Sequence, residues 1–461
     1  MRNNSASRLL FLILFLMPLA GRTQVWLKDR DTREGPGFKL GESLVLHVGL
    51  GLEGGYDSNA TYTHDPITAG RLRITPYLDI STRTQKRIEP KPGAVPHAPP
   101  KAIFRFGFSS FYDRYFSKSN AIDGFNSKFN PFGFDTHLNF TLLPERKVSV
   151  LGGINYIKTL EPLENNQDAL DKHNLVPMVG LRFLPGGGTL TIEPKYRLNL
   201  LYFSSESVGQ DSNRYIHEVS LNTNWKIFPM TALISNVIFA PTIYYGNYSY
   251  NVDSYPLRSW FGFQGLLFDK VGFRALAGYG AGFYEWGPSF EGFIGDGAVM
   301  FFFNQFAKAT IGIKRDFGDS FYANYYIMTG GYLSYEHMFA GRFLLTLSSS
   351  IYKRKYAEDL GYFQNLNEYN QPTVTVEANT TQREDIWVTG SILGELRATD
   401  WLSFHLSVKL WRDISDFAYT STYVLENDPN TPEDETGQEE VVITLTDFSK
   451  VEFFGGVRIH Y

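Results

Sequence analysis

The chain has 461 residues, a net charge of −5, no cysteine, 42 glycines and an aromatic fraction of 16%. With 28 Tyr and 38 Phe it is not a disordered polymer, and without cysteine it carries no disulfide, thiolate metal site or cysteine nucleophile. The mild charge offers a nucleic-acid partner no electrostatic support, and one apolar run near the N-terminus is too little for a multi-span helical membrane protein.

Arg2 and Arg8 precede a 12-residue apolar run, Leu9–Ala20. Such a run is too short to span a bilayer and suits the core of a secretory signal. Residues 1–23 are expected to be a removed signal peptide and 24–42 a short periplasmic segment, with the barrel described below occupying 43–461.

From about residue 43 onward, apolar and polar residues alternate. Side chains on a strand point to opposite faces in turn, so each such run has one apolar and one polar face. Phe132, Phe134, Leu138 and Phe140 alternate with Gly133, Asp135, His137 and Asn139. Leu190, Ile192, Tyr196 and Leu198 alternate with Thr191, Glu193, Lys195 and Arg197. The runs lie at about 43–56, 70–83, 102–115, 131–143, 147–159, 174–184, 189–203, 213–227 and 231–247. They continue at 256–268, 270–285, 291–304, 307–317, 321–338, 341–356, 383–398, 400–414 and 447–461. Most exceed the usual soluble strand and match the roughly 9–11 residues of a tilted membrane strand.

Short and long connections take turns. Pro144–Lys147, Pro185–Gly188, Phe228–Thr231, Phe268–Val271, Phe339–Arg342 and Ala398–Trp401 are tight. Asp57–Ala69, Ser117–Asn130, Glu161–Asn174, Ser204–Asn213, Tyr356–Gln382 and Tyr423–Thr446 are long and polar. That asymmetry belongs to outer-membrane barrels, with short periplasmic turns and long extracellular loops. The expected fold is all-β, a transmembrane antiparallel up-and-down barrel of about 18 strands, with 16 the alternative count. Lipid forbids an open sheet edge, so the first and last runs should pair with each other.

Two connections stand apart. Ile88–Lys101 carries five prolines on the short-turn side and reads as a stiff polyproline II excursion. Glu426–Glu440 is strongly acidic but lacks EF-hand spacing, so it reads as a solvated outer loop. Aromatic residues near run ends, such as Tyr115, Phe116, Tyr202, Phe203, Tyr325 and Tyr326, are read as interfacial girdles.

The last run, VEFFGGVRIHY, places Phe453, Val457, Ile459 and the terminal Tyr461 on one face. It resembles the C-terminal insertion signal of outer-membrane β-barrel proteins, a resemblance that implies recognition by barrel-assembly machinery. The other faces nominate the lumen lining: Arg105, Asp135, His137, Glu193, Lys195, Arg197, Arg274, Lys409 and Arg458, with the alternating glycines Gly278, Gly280 and Gly282. Inward glycines keep a lumen open or admit a large side chain. The mixed charges form no single-sign ring, and pairing among themselves would brace the wall.

Nothing points to catalysis. The nine histidines are scattered, and neither H-E-x-x-H nor G-x-S-x-G occurs. No cofactor is expected, and the partners expected are outer-membrane lipid or lipopolysaccharide and periplasmic proteins.

The opening strand and its exit, GLGLEGGYDSNATY (Gly49–Tyr62), resemble the start of outer-membrane β-barrel proteins associated with exopolysaccharide and capsule export, and Arg315–Tyr326 (RDFGDSFYANYY) resembles a stretch of large barrels in that group. The resemblance implies a porin-like channel for a polysaccharide, working with periplasmic and inner-membrane components of a glycan-export system. A structural barrel within a surface machine for motility, adhesion or envelope assembly is the alternative, and an outer-membrane barrel enzyme a minor one. The loop pattern makes its own prediction. Protease added outside intact cells should cut within Tyr423–Thr446 and leave Pro185–Gly188 intact, as read by immunoblot of fragments.

Overall fold

The structure is a computed structural model that describes residues 37–41, 43–82, 101–118, 132–161, 170–204, 213–245, 252–320, 323–357, 363–366, 372–378, 382–424 and 439–461. The signal segment, the proline-rich stretch up to residue 100 and the acidic stretch 425–438 lie outside the described residues.

Eighteen strands form the wall. They are β1 (Leu44–Asp57), β2 (Ala69–Thr82), β3 (Ala102–Phe116), β4 (Phe132–Leu142), β5 (Val148–Glu161), β6 (Leu170–Phe183), β7 (Leu190–Phe203), β8 (Arg214–Phe228) and β9 (Thr231–Phe239). The circuit continues through β10 (Ser254–Phe268), β11 (Val271–Tyr284), β12 (Phe290–Asn304), β13 (Ala307–Asp319), β14 (Tyr325–Phe339), β15 (Phe343–Tyr356), β16 (Glu384–Arg397), β17 (Leu402–Ser415) and β18 (Phe448–His460). Each pairs antiparallel with the next. β18 then pairs with β1 from Gly49↔His460 to Asp57↔Glu452, which closes the barrel. The count is therefore 18.

β9 is interrupted at Ala240–Pro241, because proline has no N–H to give the ladder, and it resumes at Thr242–Tyr244. The break is bridged: His217 N donates to the Pro241 carbonyl at 2.9 Å and Ala240 N to that of Pro256 at 3.0 Å. The tightest connections obey turn chemistry. Pro185–Gly188 turns through Gly186, Gly187 and Gly188, all at positive φ, where a side chain would be strained.

The start of β1 and the end of β18 lie at the short-turn end. Tyr461 exchanges two backbone hydrogen bonds with Val48, at 2.8 and 3.2 Å. Just below it, Phe38–Leu40 pairs with Leu44–Leu46 and continues the edge that β18 leaves. The Phe38 ring lies 4.2 Å from that of Tyr461.

Two long connections contain more structure than the loop reading expected. Phe363–Leu366, Pro372–Ala378, Ala418–Val424 and Glu439–Leu445 form a separate four-stranded antiparallel sheet beyond β15–β18. Their mixture of Thr, Val, Tyr and Ser gives a weak alternation inside polar flanks, which hides a short strand.

Register assigns every wall residue to one of two faces. Leu50, Leu52, Val219, Phe261, Ile311, Ile351, Leu406 and Phe453 are exposed on the outer face. Residues opposite in parity, such as Glu53, Arg105, Asp113 and Arg458, face the interior and meet one another there. A closed sheet with an apolar exterior pairs every backbone group without helices, so the chain is an integral outer-membrane β-barrel.

Adjacent aromatic residues divide between the faces. Tyr202 is 46% exposed and Phe203 only 1%. The girdle reading therefore holds for one member of such a pair, because neighbours on a strand cannot point the same way.

Truncating Val457–Tyr461 would strip the partners of Gly49–Leu52 on β1 and of Leu402–Phe404 on β17. Unpaired backbone groups in lipid cost several kcal/mol each. The truncated chain should lose the fast-migrating folded species in unheated gels; an unchanged folded fraction would contradict the closure.

Candidate functional site: the inner wall

The inner face carries most of the chain's membrane-level charge, and that charge is arranged in clusters. Around the closure, Arg458 reaches Glu53 on β1 at 3.1 Å and Glu395 on β16 at 3.2 Å. His405 on β17 lies 2.9 Å from Glu53, and Arg397 3.8 Å from Glu395. Five residues thus bind four strands across the seam.

A second cluster sits closer to the extracellular end. Lys450 holds Asp57 at 2.8 Å and Glu452 at 3.3 Å. Arg71 and Arg73 both grip Asp113, at 2.6 and 2.7 Å, and Arg71 also approaches Glu452 at 3.8 Å. Lys450 and Asp57 are buried because Tyr62, from the β1–β2 loop, lays its ring 3.7 Å from the ammonium.

Aromatic rings extend this cluster along the mouth. Tyr62 meets Phe448, Phe448 meets Trp387, and Arg354 lies over both Trp387 and Tyr326. Arg383 is fully buried between Tyr356 and Phe417 and is neutralised by Asp385 at 2.7 Å and Asp413 at 3.4 Å. A buried guanidinium needs such pairing, since an isolated charge would be far too costly there.

The sequence-nominated lining residues do not converge on one centre. Arg105 pairs with Asp79 at 2.6 Å, with His137 4.0 Å from the same carboxylate. Glu193 takes Arg182 at 2.5 Å and Lys195 at 2.6 Å, and Arg197 lies 3.5 Å from Glu218. Arg274 holds Asp296 at 2.8 Å. Asp135 faces Ser109 across β3–β4. Lys409 is exposed and stands 5.7 Å from the Trp411 ring. Phe453, Ile459 and Tyr461 are exposed on the outer face, and Val457 shares that parity between Leu52 and Phe404.

The three glycines have a specific neighbour. β12 pairs with β13 only as far as Gly295↔Arg315, although β12 itself continues to Phe290. Beyond that point the tip of the β13–β14 hairpin leans inward. Phe317 stacks on Phe290 at 4.4 Å, packs against Ile294 and lies under the Arg258 guanidinium at 4.2 Å. A Cβ on Gly280 would lie 2.7 Å from the Phe317 ring and one on Gly282 3.0 Å from it. Here small inward residues admit a large side chain. Gly278 faces Trp260 and Ile294 in the same region. The tip is tied down further by Asp319, which accepts from Ser254 and Tyr284, each at 2.8 Å.

Gly312 does similar service. A Cβ there would fall inside the Tyr332 ring. Its absence lets Tyr332 on β14 pass β13 and reach Asp296 at 3.0 Å and Arg274 at 2.9 Å.

Away from these clusters the inner face is rich in amides. Asn139, Asn155, Asn174, Asn199, Asn222, Asn224 and Asn236 share the inner parity on β4 to β9. Asn222 and Asn236 are direct cross-strand partners. Asn139, Asn199 and Glu452 stand on polar faces legible in the sequence; Glu53, Glu395 and the remaining asparagines are found by extending the same parity to the other strands.

No protein-family model matches the chain, and no curated protein matches it. Among solved structures, it is similar to the FrpB iron transporter from Neisseria meningitidis at 8% identity and a TM-score of 0.45, covering 92% of this chain and 82% of that one. It is also similar to the siderophore receptor PirA from Pseudomonas aeruginosa (8%, TM-score 0.41, 90% and 80%) and to PirA from Acinetobacter baumannii (7%, TM-score 0.42, 90% and 80%).

Replacing Glu53 by Ala strips His405 and one arm of Arg458 of their carboxylate. Breaking one side of a largely buried ion network costs about 3 kcal/mol, so Glu53→Ala should unfold at lower temperature in detergent than the wild type. The double variant Glu53→Ala/Arg458→Ala should regain part of the loss; an unchanged melting curve for the single variant would contradict this role of the seam network.

Proposed function

We propose that the protein is a translocation channel for a hydroxyl-rich polar solute, with a secreted glycan as the substrate class. The observation that carries the reading is the mixture of charge on the inner wall. Most of its carboxylates are paired with cations, and both signs are interspersed around the barrel, so no ring of one sign is available to select ions. What remains open to a passing solute is amide on β4–β9, with hydroxyl and aromatic groups elsewhere. Asn side chains donate and accept at once, and aromatic faces stack on apolar sugar faces, so both suit uncharged polyhydroxylated chains better than ions. In this reading the nine charged or polar nominees brace the wall and offer hydrogen bonds, the three glycines give inner side chains room, and none of them forms a catalytic set.

A second reading, a scaffold barrel in a surface machine, is favoured by the inward-leaning β13–β14 tip and the buried Arg383 cluster, both of which narrow the mouth. Planar-bilayer recording of the purified barrel separates the two. The channel reading expects a steady conductance with only weak selectivity between cations and anions and reversible block by neutral oligosaccharides. A silent barrel would sink it and favour the scaffold. Deletion of the gene should then abolish a secreted polysaccharide; normal secretion would rule out the glycan as substrate.

A further inference from the structure

On the outer face, charge is confined to one end. Among residues whose side chains are described, the outward-facing Asp, Glu, Lys and Arg of the wall are Arg114, Lys158, Glu291, Arg315, Lys353, Lys355, Glu384 and Arg412. Each lies within four residues of the extracellular end of its strand. Below them the outer face is apolar or uncharged down to the short turns. A Lys or Arg facing lipid costs about 2–4 kcal/mol at the bilayer midplane and about 0–1 near the interface. This band therefore sits at the headgroups of the outer leaflet.

Most members of the band are already engaged within the protein. Arg315 donates to the Phe293 carbonyl at 3.2 Å and to Thr329 at 3.0 Å, bridging the wall where β12 and β13 part. Arg114 leans over Phe116, and Lys158 is buried. Glu291 meets the Tyr279 hydroxyl. The remaining basic residues lie together on β15–β17. Lys353 and Lys355 are exposed at 58% and 50% of their side chains, and both face the single carboxylate Glu384, at 2.6 and 4.0 Å. Arg412 is exposed and makes no ion pair among the described residues. It is level with Val388 and Ile351 in register, one outward-facing step below Lys353. Two inter-strand spacings, about 10 Å, separate its strand from that of the lysines. Three cations against one carboxylate leave an excess of positive charge on a lipid-facing wall, with Ile351, Ile386 and Ile414 among the charges and Leu410, Ile392 and Leu406 exposed below them.

We infer that Lys353, Lys355 and Arg412 form a binding site for the phosphate of an outer-leaflet glycolipid, with the acyl chains lying on the apolar wall of Leu410, Ile392 and Leu406 below. The two parts of the site match the two parts of that ligand. Ammonium and guanidinium groups recognise phosphate by charge-assisted hydrogen bonds, and the apolar strip beneath them is continuous with the membrane. A soluble anion would find only the upper half of the site, so the occupant is the lipid. The lipid also supplies an anion that the lysines otherwise share only with Glu384. The inference stands apart from the proposed channel, since it concerns the opposite face of the wall.

Native mass spectrometry of the detergent-purified full chain with diphosphorylated lipid A, and with the same lipid A stripped of phosphate, tests the site. The wild type should retain diphosphorylated lipid A and bind the dephosphorylated lipid at least tenfold more weakly. Lys353→Gln/Lys355→Gln/Arg412→Gln should lose that preference while keeping the folded gel mobility, and Lys353→Arg/Lys355→Arg/Arg412→Lys should restore it. Equal binding of both lipids by the wild type would overturn the proposal even if the glutamine variant did not fold. So would full retention of diphosphorylated lipid A by a folded glutamine variant.

Discussion

A strand in lipid cannot leave its N–H and C=O groups unpaired, and that constraint governs the whole molecule. Seventeen of the wall's junctions are made between strands adjacent in sequence, where a short turn or loop brings partners together. The eighteenth must join β1 to β18, and it has no covalent help. Here the chain adds side-chain interactions that the other junctions do not all share. Asp57 and Lys450, separated by 393 residues, meet in a buried pair, and Glu53, Arg458, Glu395 and His405 form a second cluster across the same seam. Phe38 packs on Tyr461 where the last strand ends. The two ion clusters and the aromatic contact lie at successive heights along the closure, so the seam is held at several levels by interactions of different kinds.

Period-two alternation made the strands and their long and short connections legible, because burying one face and wetting the other leaves a trace in every run. It also placed the C-terminal residues and the inward charges on their faces. It could not say which charges meet. Arg458 and Glu395 are 63 residues apart, and their contact depends on strand order and register around the whole barrel. Arg274 and Tyr332 meet across an intervening strand, and nothing local in either run announces the glycine at 312 that permits it. The inward lean of the β13–β14 tip was hidden for another reason. Residues 316–327 alternate like wall residues, yet Phe317 packs to the inside because β13 has already separated from β12.

The glycines show how one residue type serves two ends in such a wall. In the tight turn at Gly186–Gly188 the requirement is conformational, since each has a positive φ. At Gly280 and Gly282 the backbone is ordinary strand, and the requirement is space for the Phe317 ring. A composition rich in glycine is therefore no measure of lumen width. Part of that glycine is spent on making the interior fuller, by letting a hairpin tip and a tyrosine cross the inner wall.

The two faces of the sheet solve the charge problem in opposite ways, and the difference bears on what each can recognise. Inside, most carboxylates find a cation on the same strand or one to three strands away, and the result is a braced wall of mixed charge. Outside, lipid offers no counterpart at mid-height, so charge is driven to the end of the strand and stays there in excess on β15–β17. A solute passing through meets a wall that offers hydrogen bonds from amides and from side chains of both charges, most of the carboxylates being already paired. A lipid standing against the exterior meets cations only partly offset by Glu384 and a membrane that supplies phosphate at that height. A cross-braced interior and a positive outer rim are thus two outcomes of one rule, that a charge in or near lipid must have a partner.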